Sequence, residues 1–160
     1  MKICHVTSVH PRNDTRIFYK ECSSLAKAGY SVTLVVADGQ GDEEQNGVHI
    51  LDAGVEKKSR VQRMKRTVNS VVKKAIETNP YVYHLHDPEL LRLVPELLKH
   101  GKVIYDVHED LPRQILTKHW LPCWSRKVIA FISESAEWMG TRFFDGIVTV
   151  TPLIQKRFPS

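Results

Sequence analysis

Long hydrophobic runs are missing from this chain. Nothing approaches the roughly 18 consecutive apolar residues of a membrane-spanning helix. The single lysine near the start leads into a short strand-like run rather than the apolar core of a secretory signal. Cysteine is scarce too. Cys4, Cys22 and Cys123 are three in number, widely spaced and without a CxxC pair, which argues against a disulfide framework or a cysteine metal site. The expected compartment is the cytoplasm, with Cys4 and Cys22 as packing residues. No serine or cysteine occupies a GxSxG-type elbow, which argues against acyl transfer. The loop "TSVHPRNDTRI" after the first apolar run holds no glycine. That argues against the GxGxxG turn that lets a backbone approach a dinucleotide pyrophosphate.

What is present fits one domain. The chain has 160 residues, 42% of them apolar and 26% charged, as in a soluble protein with a real core. Its net charge of +5 is unevenly spread. Lys57, Lys58, Arg60, Arg63, Lys65, Arg66, Lys73 and Lys74 lie in one acid-free stretch, and without these eight the rest carries about −3. The stretch is read as a basic helix from Ser59 to Thr78, with Val61, Met64, Val68, Val71, Val72, Ala75 and Ile76 as its apolar stripe. A charge run is usually a solvated helix face. Lys57, Lys58, Arg63, Lys65 and Arg66, with Trp120 in the loop "ILTKHWLPCW", are nevertheless candidate contacts to an anionic membrane surface. Nucleic acid is not an expected partner, because no aromatics interleave with the basic residues.

Strand patterns alternate with helical ones, which implies an α/β fold with a mainly parallel, Rossmann-like open sheet covered on both faces. Strands are expected at Lys2–Thr7, Ser31–Val36, Val48–Leu51, Tyr81–Leu85, Lys102–Val107 and Ile147–Thr151. A helix begins near Thr15, capped by Asp14 or Thr15, and stops at Gly29. Asp87 caps a helix with Pro88 in its first turn, and Pro95 splits that helical stretch. A long helix is expected from Ser125 to Arg142, and Pro152 begins another.

Three of the strands run into ionisable clusters. His10, Arg12, Asp14 and Arg16 follow the first. His84, His86 and Asp87 end "YHLHDPEL", and Asp106, His108 and Glu109 end "YDVHEDLP". Ligands of open α/β sheets bind outside the carboxyl ends of the strands, so these clusters are expected to share one crevice. Strand alternation puts His84 and His86 on one face, and Asp106 and His108 on one face. Simpler readings stand beside this one: Asp14 and Asp87 as helix caps, Arg16 as a solvated side chain. His-x-His-Asp also contains metal-ligand types, but one strand offers too few ligands, and no metal is expected.

The segments "HPRNDTRIFYKECSSLAKAGYSVTLV", "HLHDPELL", "VIYDVHEDLPRQIL" and "VTVTPLIQKRF" resemble, in the same order, the N-terminal half of retaining glycosyltransferases of the GT-B family 4. The resemblance implies a two-domain enzyme with its site in the cleft between two Rossmann-like halves. Residues 1–151 would be the acceptor-side domain. Residues 152–160 would begin the linker to a C-terminal domain that holds the nucleotide-sugar donor through a basic pair and an E-x7-E element. Neither element occurs in this chain, so on this reading it is inactive alone.

The same resemblance implies roles for particular residues. His108 matches the family histidine near the transferred sugar, and His86 and Asp87 match the polar cluster on the neighbouring strand. His108 would orient the sugar, and Asp87, Glu109 or Asp14 would position the acceptor. The glycine-poor first loop departs from the family pattern, so Arg12 or Arg16 would approach the donor phosphates instead. His10, His84 and His86 complete the expected substrate contacts. No cofactor is implied beyond the nucleotide sugar as co-substrate. The implied partners are a sugar or lipid-linked acceptor and the C-terminal domain. Bacterial surface polysaccharide or glycolipid assembly is the implied setting, at the cytoplasmic face of the membrane. The rival readings are a non-catalytic sugar- or nucleotide-binding domain, half of a sugar-nucleotide epimerase, and a membrane-interaction module.

Overall fold

The computed structural model describes residues 1–54, 60–108, 110–118, 122–140 and 142–158, with the side chains of 60–65, 111, 123, 136 and 139 left aside. Seven strands form one sheet: β1 (Lys2–Val6), β2 (Ser31–Val36), β3 (Glu43–Gln45), β4 (Val48–Asp52), β5 (Val82–Leu85), β6 (Lys102–Val107) and β7 (Gly146–Thr149). Their spatial order is β3-β4-β2-β1-β5-β6-β7. All neighbours pair in parallel except β3 with β4. Strand order therefore reverses between β1 and β5, the switch point at which a crevice opens in doubly wound sheets.

Parallel strands covered on both faces read as continuous apolar runs, and β1, β2 and β5 are buried almost throughout. On one face Cys4, Val6, Tyr83, Leu85, Val103 and Tyr105 pack against α2 (Arg60–Glu77) through Val68, Val71, Val72 and Ala75. On the other, Val32, Leu34, Val36, Val48 and Ile50 pack against Ile17, Phe18 and Cys22. That second face changes character along the sheet. Toward β5 and β6 it carries His5, His84, His86 and Asp106, all buried.

The first helix is wound in two ways. Thr15–Cys22 is π-helical, and α1 (Ser23–Lys27) continues it as an α-helix. The Asp14 carboxylate caps the start, accepting from the backbone N–H groups of Arg16 and Ile17 at 2.9 Å each. In π winding the repeat bond spans five residues, which stacks Arg16 and Glu21 on one face (Nη2 to Oε1, 3.1 Å). Gly29 ends the unit at φ +89°, a conformation open to glycine.

Other departures from the expected elements have local causes. The loop before β4 forms a hairpin through Asn46 and Gly47, whose φ angles of 53° and 75° match the turn that suits Asn-Gly. The all-exposed strand it adds, Glu43–Gln45, carries no hydrophobic signal. Pro95 divides its stretch as expected, into a 3₁₀ segment Pro88–Leu93 and α3 (Val94–Leu97). The expected loop after β6 contains α4 (Leu111–Thr117), begun by Asp110, whose carboxylate accepts from Arg113 N. It is followed by α5 (Cys123–Gly140) and, after β7, α6 (Pro152–Gln155).

Gly101 sets where β6 starts beside β5. A Cβ there would lie 3.0 and 3.1 Å from the carbonyl oxygens of Pro80 and Tyr81 and 3.2 Å from the Tyr83 ring. Backbone oxygens at the entry to β5 cannot move aside cheaply, so Gly101→Ala should destabilise the domain by about 1–3 kcal/mol. Urea denaturation measures this, and an unchanged midpoint would contradict it.

Candidate active site

The turn after β1 folds back on itself because Thr7 Oγ1 accepts the N–H of His10 at 3.0 Å. This brings the His10 ring over the end of β5. Asp87, just beyond β5, holds the turn: its Oδ2 accepts from Thr7 Oγ1 at 2.9 Å and from the Ser8 backbone N–H. It stands at the cap position of the 3₁₀ segment, yet its side chain caps nothing there. Its other oxygen faces His10 Nε2 at 3.3 Å, while His10 Nδ1 lies 3.6 Å from Asp14. The His10 ring meets the His108 ring edge-on, with centroids 5.2 Å apart.

His10, His86, Asp87, Asp106 and His108 line one cavity of about 240 Å³ together with Glu89 and Glu137. Three separate stretches of chain thus converge at the switch point. The described residues lining it include no lysine or arginine. Beside Val9, Pro88, Tyr105 and Val107 it offers imidazole and carboxylate, groups that exchange hydrogen bonds with hydroxyls.

Asp106 is the buried centre of this arrangement, 1% exposed. Arg16 meets it through two bonds, Nε to Oδ2 at 3.0 Å and Nη2 to Oδ1 at 2.7 Å. His86 Nδ1 and His108 Nδ1 approach Oδ2 at 3.3 and 3.5 Å. Burial alone would push this carboxyl up; the bonds from His108, His86 and Arg16 outweigh it and hold Asp106 far below the usual carboxylate range. An ionised carboxylate can only accept, so His86 Nδ1 carries the proton and His86 Nε2 presents a lone pair. That lone pair meets His5 Nδ1 at 2.9 Å, which therefore donates.

Behind the crevice wall lie His5, His84 and His86, their ring centroids 4.6 to 5.1 Å apart. Burial, followed by the neighbouring imidazoles, holds His5 well below its ordinary value and His84 down to about 3. Burial also lowers His86, against the pull of Asp106. Glu21 faces them from the π-helical segment. Burial, reinforced by the Asp106 charge, pushes its carboxyl up to about 7.

Several expected contacts lie elsewhere. Arg12 turns away from the crevice, bonded to Asp38 at 2.6 and 2.7 Å, to the Gly41 carbonyl at 2.9 Å and to Glu43 at 2.9 Å. It clasps the first loop to the β2–β3 connection. Arg16 is engaged by Asp106 and Glu21, and His84 sits inside the sheet rather than at the crevice. Glu109, Lys57, Lys58 and Trp120 lie outside the described residues, as do the side chains of Arg63 and Lys65. Arg66 is exposed on α2. Among the described residues no helix is long and apolar enough to cross a membrane.

Reading the sequence alone missed His5, Glu21, Glu89 and Glu137. Only the pairing of β1 with β5 opposes His5 to His84, and only π winding turns Glu21 inward. Glu137 comes from α5, where its carboxylate is buried against Arg157. Two groups among the described residues have metal-ligand geometry: His5, Glu21, His84 and His86; and His86, Asp106 and His108.

The architecture has a solved counterpart. Sucrose-phosphate synthase from Thermosynechococcus elongatus superimposes with a TM-score of 0.69 over 97% of this chain, at 11% sequence identity. The fold is that of a GT-B glycosyltransferase domain. This chain covers 43% of that protein, so it spans less than half of its length. No family model matches the chain, and no curated protein does. The GT-B domain therefore stands here as a fold with a crevice at its switch point.

The buried imidazoles give this domain a pH signature. The unfolded chain binds a proton at His84 near pH 6.5, whereas the folded domain resists it until about pH 3. Stability contributed by neutral His84 is complete above pH 6.5 and lost as pH falls toward 3. Glu21 acts oppositely, its contribution present below about 4.5 and lost as pH rises through about 7. The His84→Gln variant isolates one term. In chelator-treated protein, its stability should fall less steeply below pH 6.5 than wild type, by up to about 1.4 kcal/mol per pH unit. Urea midpoints across pH 4.5–7 test this, and parallel slopes would contradict it.

Proposed function

We propose that this domain forms the acceptor-side wall of a glycosyl-transfer site. With a second, donor-binding domain it would move a sugar from a nucleotide sugar to a hydroxyl acceptor, with retained anomeric configuration. One observation carries the reading: histidines and carboxylates from β1, β5 and β6 converge at the switch point of a GT-B fold. The resemblance of the motifs to family 4 enzymes supports retention and a surface polysaccharide or glycolipid acceptor.

The chemistry of the crevice supports this division of labour. A leaving diphosphate needs cationic or dipolar stabilisation, and the described lining supplies no lysine or arginine. Arg12 and Arg16 are both occupied by carboxylates. Diphosphate binding therefore falls to the second domain. A cavity of about 240 Å³ is smaller than the roughly 300–1,000 Å³ that encloses a whole drug-sized ligand, so it suits one ring of a larger substrate.

Within it, His108 hydrogen-bonds a hydroxyl of the transferred sugar, and Asp106 fixes its ring from behind as a positioning residue. Asp87 receives the acceptor hydroxyl beside His10. The transition state has oxocarbenium character, which the ionised Asp106 carboxylate in this wall favours by its charge. Removing a positioned hydrogen-bonding side chain typically lowers the rate by about 10²–10⁴-fold.

The test uses the full gene product and a panel of nucleotide sugars, following acceptor-dependent nucleoside diphosphate release. His108→Ala should lower kcat at least about 100-fold in protein that still folds, with a small drop in melting temperature as Asp106 loses one of its three partners. Wild-type turnover in that variant, or donor isomerisation without an acceptor, would overturn the proposal.

A further inference from the structure

Behind the crevice, four side chains from three elements bring ligand atoms within 4.8 Å of one another: His5 from β1, His84 and His86 around the end of β5, and Glu21 from the π-helical segment. We propose that they form a closed binding site for a divalent transition-metal ion, zinc foremost, which fastens the π-helical segment to β1 and β5.

The distances carry the inference. His5 Nδ1, His86 Nε2 and Glu21 Oε2 form a triangle with sides of 2.9, 3.9 and 3.9 Å. The point equidistant from them lies about 2.1 Å from each, the length of a zinc bond to imidazole nitrogen or carboxylate oxygen. His84 brings a fourth ligand atom within 4.8 Å of the others. Three nitrogens and one oxygen suit zinc and its neighbours, whereas calcium and magnesium take oxygen shells.

Unpaired atoms surround the same point. Glu21 Oε2 and His84 Nε2 are buried without hydrogen-bond partners, and His84 as a whole is 9% exposed. Buried polar atoms without partners are uncommon and call for an explanation, and an ion supplies one. The outer contacts are also in place. His86 gives its other nitrogen to Asp106, the carboxylate–histidine pairing that fixes a metal-binding tautomer. Arg16 holds Glu21 by Oε1, leaving Oε2 directed inward. The ion would take the place of the proton between His5 and His86. With four protein ligands the site has no open position, so its role is structural.

This inference is independent of the sugar-transfer reading. The intact protein is stripped with chelator and titrated with zinc ion by calorimetry, with bound metal counted after dialysis. Cobalt ion serves as the visible-absorption probe of the coordination geometry. One zinc per chain and a raised melting temperature are expected. Glu21→Gln and His84→Gln should abolish both, and Asp106→Asn should weaken binding about 10- to 100-fold. The surface variant His100→Gln should bind like wild type. If His84→Gln fails to fold, Glu21→Gln decides. A stripped wild type that takes up no zinc, or zinc binding retained in Glu21→Gln, would overturn the proposal and leave a metal-free hydrogen-bonded cluster.

Discussion

A carboxylate that is 1% exposed and yet ionised is the constraint around which this domain is arranged. Removing Asp106 from water without partners would carry a penalty of several kcal/mol. Three groups offset it, each from a different part of the chain. Arg16 descends from the first helix, His86 stands beyond β5, and His108 follows β6 two residues after Asp106. Each of those elements must be in place for the charge to be tolerated, so the crevice and the fold are specified by the same contacts.

The order of the strands explains why the crevice lies where it does. With β1 and β5 adjacent and their outward connections running opposite ways, the chain leaves a gap above their ends. Thr7, Ser8 and Asp87 bridge that gap with hydrogen bonds and hold His10 over it. Behind the gap, apolar packing gives way to imidazoles. The sheet face covered by Ile17 and Phe18 near β2 is covered by Glu21 and Arg16 near β5. One helix thus serves as core element and as polar lid along its length, and its π winding makes the change possible.

Much of this was legible in the residues, for reasons that can be named. Parallel strands buried on both sides give continuous apolar runs, so β2 and β6 were placed to the residue. Period-two alternation put His84 with His86 and Asp106 with His108. Strand ends lie together in this fold class, which is why His10, His86 and His108 could be expected in one crevice. What escaped depends on relations between distant segments. The partnership of His5 with His84 needs the order of strands, and the inward turn of Glu21 needs a helical winding that sequence periodicity does not report. Asp87 reads as a helix cap because its position is a cap position; only the tertiary contact to Thr7 and Ser8 shows where its charge goes. Arg12 and Arg16 read as free cations because their carboxylates, Asp38 and Asp106, are 26 and 90 residues away. Strand β3 escaped because three exposed polar residues carry no apolar signature.

The ionised state of Asp106 and its hold on the two imidazoles can be observed directly. Proton–nitrogen correlation spectra of the histidine rings, compared between wild type and Asp106→Asn, report the tautomer of each ring. In wild type, His86 should carry its proton on Nδ1; in the variant the His86 and His108 signals should shift, while those of the surface residues His49 and His100 stay in place. Superimposable His86 and His108 signals in the two proteins would contradict the organising role given to Asp106.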